Sequence, residues 1–328
     1  MKYFFDTEFL EGSQKIYQWG LKTDTWLRIA GVGFLVLGFW LMFFKYGTLF
    51  PLFFIFPALI MFGISLPKTP PTIDLISIGI VSEDGREYYS ISKDFNLKEA
   101  WNRYQMKQVY GDQRNRYPDG VKEYWIRENV LKPIFKELRE KSLQDKDYIK
   151  EHYYSVGNKF SYSHLKELIK YYGKPNKQIA SEIIAFTLDP TGEGFDDWLG
   201  FSDDYIKALK DSSSEPTPEF YAYYADYDWV AFCWLYGKMI DLPKKFPMYC
   251  RDLKQEFDRK LMLKSNKMIG NIDAEEKALP FLAKDEYSLD ERLKIFKSLA
   301  RYPKQENEHN ALADARWNLK LYQFLNSI

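Results

Sequence analysis

The sequence predicts an α/β protein interrupted near its start by a long apolar insert. Three observations predict it. Short apolar runs bounded by turn residues occur on both sides of the chain's middle. Between them, from about 95 to 190, lies a polar stretch with helical spacing. Ahead of that, from Ile29 to Leu66, charge vanishes except at Lys45.

The elements follow in order. Lys2 to Phe5 reads as a strand, Thr72 to Val81 as a second rich in Ile, and Glu87 to Ile91 as a third after the turn Glu83-Asp84-Gly85. Leu97–Val109 and Val121–Lys141 have helical spacing. Ser163–Tyr172 begins with a residue suited to a cap, and Lys177–Phe186 is the apolar face of a helix on the sheet. Asp189 to Pro218 carries Gly192, Gly194, Pro216 and Pro218 and reads as a loop. Glu219–Ala225 is a buried strand and Trp229–Met239 a helix. A last short strand is expected at Pro247–Cys250 and a final helix at Asn310–Leu325.

The insert falls between the first two strands, a surface connection where insertions are tolerated. Its two runs, Ile29–Phe44 and Thr48–Leu66, are about 16–19 residues each, against the ~20 that a membrane-spanning helix needs. Tyr46-Gly47 would make the turn. A transmembrane helical hairpin is expected over 21–70, touching the bilayer through about 26–66, with residues 1–20 and 71–328 as one discontinuous domain. Buried soluble helices and a shallow re-entrant hairpin are the alternatives. Lys22, Arg28 and Lys68 at the base favour a membrane-associated protein with its larger domain on the cytoplasmic side. The start of the chain has no small-residue cleavage site and is not expected to be a leader.

Composition narrows the chemistry only by exclusion. Lys plus Arg equals Asp plus Glu at 46 each, so net charge gives no sign of a nucleic-acid partner. Cys233 and Cys250 are the only cysteines and lie in no zinc-ligand spacing.

Three motifs carry chemistry. In Phe4-Phe5-Asp6-Thr7-Glu8-Phe9 the acids at i and i+2 point to the same face of a strand. Like charges so placed repel unless cations lie between them. In Tyr223-Tyr224-Ala225-Asp226-Tyr227-Asp228 a strand ends in acids ahead of a helix, and either Asp could instead be a cap. In His309-Asn310-Ala311-Leu312-Ala313-Asp314 the two polar residues are about 140° apart around a helix. They converge only if His309 lies in the loop before the helix and Asp314 one turn inside. Hard oxygen ligands of this kind suit two Mg²⁺ or Mn²⁺ ions, which can act on a phosphodiester with a nearby His as base.

The order DxE, then D, then HxxxxD resembles the DEDDh 3′→5′ exonuclease superfamily. The stretches YFFDTEFLEG, ISIGIVSEDGREYYSIS, FYAYYADYDWVAFCWLYGKMIDLP, FPMYCRDLKQ and HNALADARWNL are similar to polyadenylate-specific exoribonucleases of mycobacterial and phage type. The resemblance implies an RNase H-like fold, a central mixed sheet flanked by helices. It implies hydrolysis of single-stranded RNA, or alternatively DNA, with oligomerisation left open. Asp6 would bridge two metals, Glu8 and Asp314 would complete the first site, Asp228 rather than Asp226 would hold the second, and His309 would be the general base. Thr7, Arg251 and Asp252 would lie near substrate. A binding module without catalysis is the reading from another class.

Overall fold

The computed structural model describes residues 1–11, 17–18, 21–22, 30, 32, 73–108, 120–152, 159–189, 203–211, 217–266, 294, 297 and 301–327. The chain divides into two compact units. One comprises Met1–Leu10 and Asp74–Ile328, the other Glu11–Ile73. The second unit contains a small antiparallel pair, Tyr17–Gln18 with Leu21–Lys22.

The larger unit is built on a five-stranded sheet. Its strands are β1 (Lys2–Glu11), β2 (Ile73–Ser82), β3 (Glu87–Ile91), β4 (Glu219–Ala222) and β5 (Arg251–Asp252), in the spatial order β3-β2-β1-β4-β5. β2 and β3 pair antiparallel, with Ser77 opposite Ile91 and Val81 opposite Glu87. β1 and β4 are parallel, with Phe4 opposite Tyr221, and β4 and β5 are parallel, with Ala222 opposite Asp252. The parallel pairs require long crossovers, which the intervening helices supply.

The helices that pack on the sheet include α1 (Leu97–Asn102), α2 (Lys132–Gln144), α3 (Tyr162–Tyr172), α4 (Asn176–Leu188), α5 (Ala225–Trp234), α6 (Leu253–Asn266) and α7 (Ala311–Ser327). The strand period of two explains how β1 serves both faces. Tyr3 and Phe5 pack with Ile183 of α4 and Trp229 and Phe232 of α5. Phe4 points the other way and packs with Phe257 of α6 and Trp317 and Leu321 of α7. Phe4 and Phe5 are fully buried, and each stabilises the fold by about 1.5–3 kcal/mol through apolar burial. A third group joins Leu10, Ile76 and Ile91 to Phe135 and Leu138 of α2 and Leu165 and Leu168 of α3.

Gly79 sets how closely α7 approaches the sheet. A Cβ there would lie 2.4 Å from the Ala311 carbonyl and from Leu312 backbone atoms. A side chain would push the first turn of α7 away from β2.

The structure corrects the expected transmembrane hairpin. Among the described residues no helix is long and apolar enough to cross a membrane. The insert of 26–66 lies outside the described residues apart from positions 30 and 32. Its physical grounds were thin. The first run falls short of the ~20 residues a span needs, and Pro51 and Pro57 interrupt the second. The bilayer partner and the membrane location rested on that hairpin. What stands is a mixed α/β fold with a five-stranded sheet.

Several boundaries also differ. β1 continues through Glu11, so Asp6 and Glu8 lie within the strand. The helix expected over 97–109 ends at Asn102, where Arg103 turns to extended backbone. Gln105–Lys107 and Val121–Glu123 then pair as an antiparallel hairpin. Asp203–Asp211 is a helix inside the expected loop, and the last strand is Arg251–Asp252, just beyond the expected Pro247–Cys250.

A candidate metal centre at the sheet

Asp6 and Glu8 project from β1 onto the face covered by α7, where Gly79 lets the first turn of that helix come close. Asp314 enters from that turn. Carboxylate oxygens of Asp6, Glu8 and Asp314 all lie within 4.8 Å of one another. The start of α7 is locally determined. Asn310 Oδ1 accepts from Ala313 N at 3.0 Å, a side-chain cap. Asp314 Oδ2 accepts from His309 N at 2.9 Å, and Gln305 Nε2 donates to Asp314 Oδ1 at 2.7 Å. Arg316, two residues on, clamps Glu87 of β3 with two 2.6 Å bonds.

Asp228 reaches the site from α5, on the opposite face of the sheet. β4 ends at Ala222, so the backbone of β1 beyond that level lacks a partner strand on that side. Asp228 Oδ1 takes the place of one, accepting from Thr7 N at 3.0 Å and Thr7 Oγ1 at 2.5 Å. Asp228 is buried whereas Asp226 is exposed. Asp228 lines the cavity with the other acids and Asp226 does not.

His309 lies in the loop before α7, as the spacing required, with φ of +67°. Its Nδ1 is 3.9 Å from Glu8 Oε1. Its ring and that of Trp125 meet edge to face, with centroids 4.7 Å apart. Tyr224 also has positive φ, +56°, and its N–H points to Asp252 Oδ1 at 3.3 Å. A left-handed backbone is uncommon outside glycine and concentrates at functional sites. Both residues line the same cavity of about 320 Å³, together with Asp6, Thr7, Glu8, Phe9, Asp228 and Asp314.

Electrostatics sets this cavity apart. Burial, then repulsion from Asp228, Glu8 and Asp314, holds the Asp6 carboxyl well above its ordinary range. Burial and the charges of Asp314 and Asp228 push Glu8 up to about 8. Burial pushes Asp228 up to about 7, although its bonds from Thr7 oppose the rise. Asp314 is raised chiefly by burial, against its bonds from Gln305 and His309. A divalent cation would relieve all four. Asn318 donates from Nδ2 to the Phe5 carbonyl at 2.9 Å, while its Oδ1 is buried among the described residues without a hydrogen-bond partner. Hard oxygen donors and excess negative charge fit Mg²⁺ or Mn²⁺.

Arg251 is not brought to this cavity. It is exposed, pairs with Glu219 at 3.2 Å and lines a separate cavity of about 490 Å³. Asp252 lines that cavity too and caps the entry to α6, accepting from Lys254 N at 2.7 Å. Residues that motif reading missed are Gln305, Trp125, Tyr227, Asn318 and Gly79. Gln305 is four residues before His309, but nothing in that spacing marks it. Phe9 and Tyr227 stack at the rim with centroids 5.6 Å apart.

No family model matches the chain. Two proteins of Mycobacterium tuberculosis, from strains CDC 1551 / Oshkosh and ATCC 25618 / H37Rv, are each described as a 3′-5′ exoribonuclease. Each is 62% identical to this chain over 29 residues, 9% of this chain and 17% of the relative. The likeness is confined to that short stretch and spans well under two thirds of those proteins.

Proposed function

We propose that the protein is a metal-dependent 3′→5′ exoribonuclease of the DEDDh type, hydrolysing single-stranded RNA. One observation carries this reading. Four carboxylates and a histidine from three distant chain segments converge in one cavity, with their charges uncompensated. The short likeness to 3′-5′ exoribonucleases supports the substrate class.

Asp6, Glu8 and Asp314 would hold one divalent ion, and Asp6 with Asp228 a second. Such ions, when bound, neutralise charge on the phosphodiester and acidify water. The chain's own residues do the rest. His309, half-exposed at the cavity mouth, would take the proton of the attacking water. A positioned base of this kind contributes about 10²–10⁴-fold. Asp314 fixes the loop that carries His309 through the His309 N–H. Thr7 holds Asp228 in one orientation by two hydrogen bonds.

The test is degradation of a 5′-labelled single-stranded RNA by the full chain with Mg²⁺ or Mn²⁺, with EDTA, and with Asp6→Ala. The expected outcome is a ladder shortening from the 3′ end, lost with EDTA and with Asp6→Ala. An intact RNA beside a degraded DNA of the same sequence would replace RNA by DNA. Inertness toward both would overturn catalysis.

A further inference from the structure

We propose that the exposed hairpin of Gln105–Lys107 and Val121–Glu123 is the surface that holds a single strand on the 5′ side of the reacting phosphodiester, by base stacking on Tyr104 and a phosphate contact from Lys122. This inference rests on the reading of the carboxylate cavity as a site for a single-stranded end.

The base of the hairpin is joined to the cavity. Two residues beyond its second strand, the Trp125 ring meets His309. Tyr124, next to it, packs against Tyr104 with centroids 5.9 Å apart. Lys122 places its ammonium 4.2 Å from the centre of the Tyr104 ring. Trp125 beside His309, its chain neighbour Tyr124 and the Tyr104 ring packed on Tyr124 thus lie between the cavity and the paired strands. Tyr104 and Trp125 are 46% and 38% exposed.

The base of the hairpin is also rigidly built. Arg127 lies between two rings, 3.9 Å from the centre of Tyr124 and 4.7 Å from that of Trp101. Its Nε donates to the Trp101 carbonyl at 2.7 Å. The chain leaves through a π-helical turn, Arg127–Leu131, ahead of α2, a feature enriched at functional sites. Lys107 and Glu123 pair across the two strands at 2.8 Å. Gly120, at φ of +88°, passes so close to Lys107 that a Cβ would lie 2.7 Å from its carbonyl oxygen. The pairing is thus held at both ends, while Tyr104 and Trp125 stay partly exposed.

The chemistry selects the occupant. Exposed rings interleaved with cations are how proteins bind single strands without reading sequence, because every base has a face to stack. A strand whose 3′ end lies among the carboxylates has to leave the cavity across some surface. The hairpin beside His309 offers the rings and the ammonium that such a path uses.

Affinity of the full chain for a fluorescent 12-nucleotide RNA, measured by anisotropy in EDTA, tests this without requiring hydrolysis. Tyr104→Ala and Lys122→Ala are each expected to weaken binding at least fivefold, with Tyr104→Phe close to wild type. Competition by a dinucleotide should shift much less than binding of the 12-mer in the same variants. Lys122→Ala should also lower the slope of log affinity against log salt by about 0.7, one phosphate's share on a single strand. Equal affinity of both variants and wild type overturns the hairpin's role, whatever the nuclease assay gives. A hairpin-dependent affinity in a protein that hydrolyses nothing upholds it and overturns only the nuclease reading.

Discussion

Helix α7 has a cavity at each end, and the two differ in the way that matters for chemistry. The cavity beside its last turn, lined by Tyr322, Leu325 and Asn326, is the larger at about 490 Å³. Its charges are answered: Arg259 binds Glu256 through two bonds, and Arg251 pairs with Glu219. The cavity beside its first turn is smaller, about 320 Å³, and holds Asp6, Glu8, Asp228 and Asp314 with neither Lys nor Arg among its described lining residues. The proposed site is therefore the smaller cavity, because its carboxylates crowd together without a cation, the kind of arrangement that marks a functional-site candidate.

The comparison can be broken most sharply at His309. His309→Ala is expected to lower kcat by roughly 10²–10⁴-fold while RNA affinity changes little, measured by single-turnover hydrolysis beside a binding titration. An unchanged kcat would remove the base from the account. A smaller effect is expected for Gly79→Ala. The added methyl meets the backbone of α7 and displaces Asp314 from Asp6 and Glu8. Misplacement of about 1 Å costs up to ~100-fold in rate. Kinetics on the folded fraction, with circular dichroism as control, should show kcat falling far more than the fraction folded.

Next comes pH. In the metal-free fold Glu8 titrates at about 8 and Asp228 at about 7, both above ordinary carboxyls. The folded state therefore binds more protons than the unfolded one above roughly pH 4. The stability these groups contribute is fully present below that pH and is lost as pH rises through about 7 and 8. Without metal, Tm should fall from pH 5 to pH 8. Mn²⁺ should raise it by more at pH 8 than at pH 5, by a few degrees in differential scanning fluorimetry. A metal-independent Tm at pH 8 would contradict the cation reading. The smallest effect belongs to the other cavity. Arg259→Ala should change hydrolysis less than about twofold, since exposed ion pairs contribute little.

Much of this contrast was legible in the sequence, for physical reasons. Alternation along β1 fixes Asp6 and Glu8 on one face. The angular step of a helix forces His309 out of α7 if it is to meet Asp314, and the structure has it in the loop. The choice between Asp226 and Asp228 needed the fold, because both suit a helix start and only tertiary contact with Thr7 separates them. Gln305 and Trp125 were invisible because they reach the site through space rather than through any local pattern. The paired strands Gln105–Lys107 and Val121–Glu123 were misread as helical because they are three residues each, too short for a period of two to stand out from helical spacing. The apolar insert misled for the opposite reason. Hydropathy records composition, and a run near the length of a span does not by itself establish a transmembrane helix.

The most direct measurement places a label at each end of one single-stranded RNA and follows the first turnovers in Mn²⁺. The account predicts labelled mononucleotide from the 3′ label at once, with the 5′ label remaining on a shortening ladder, and neither change in EDTA or with Asp6→Ala. Early release from the 5′ label, internal cuts, or hydrolysis that survives EDTA and Asp6→Ala would contradict it.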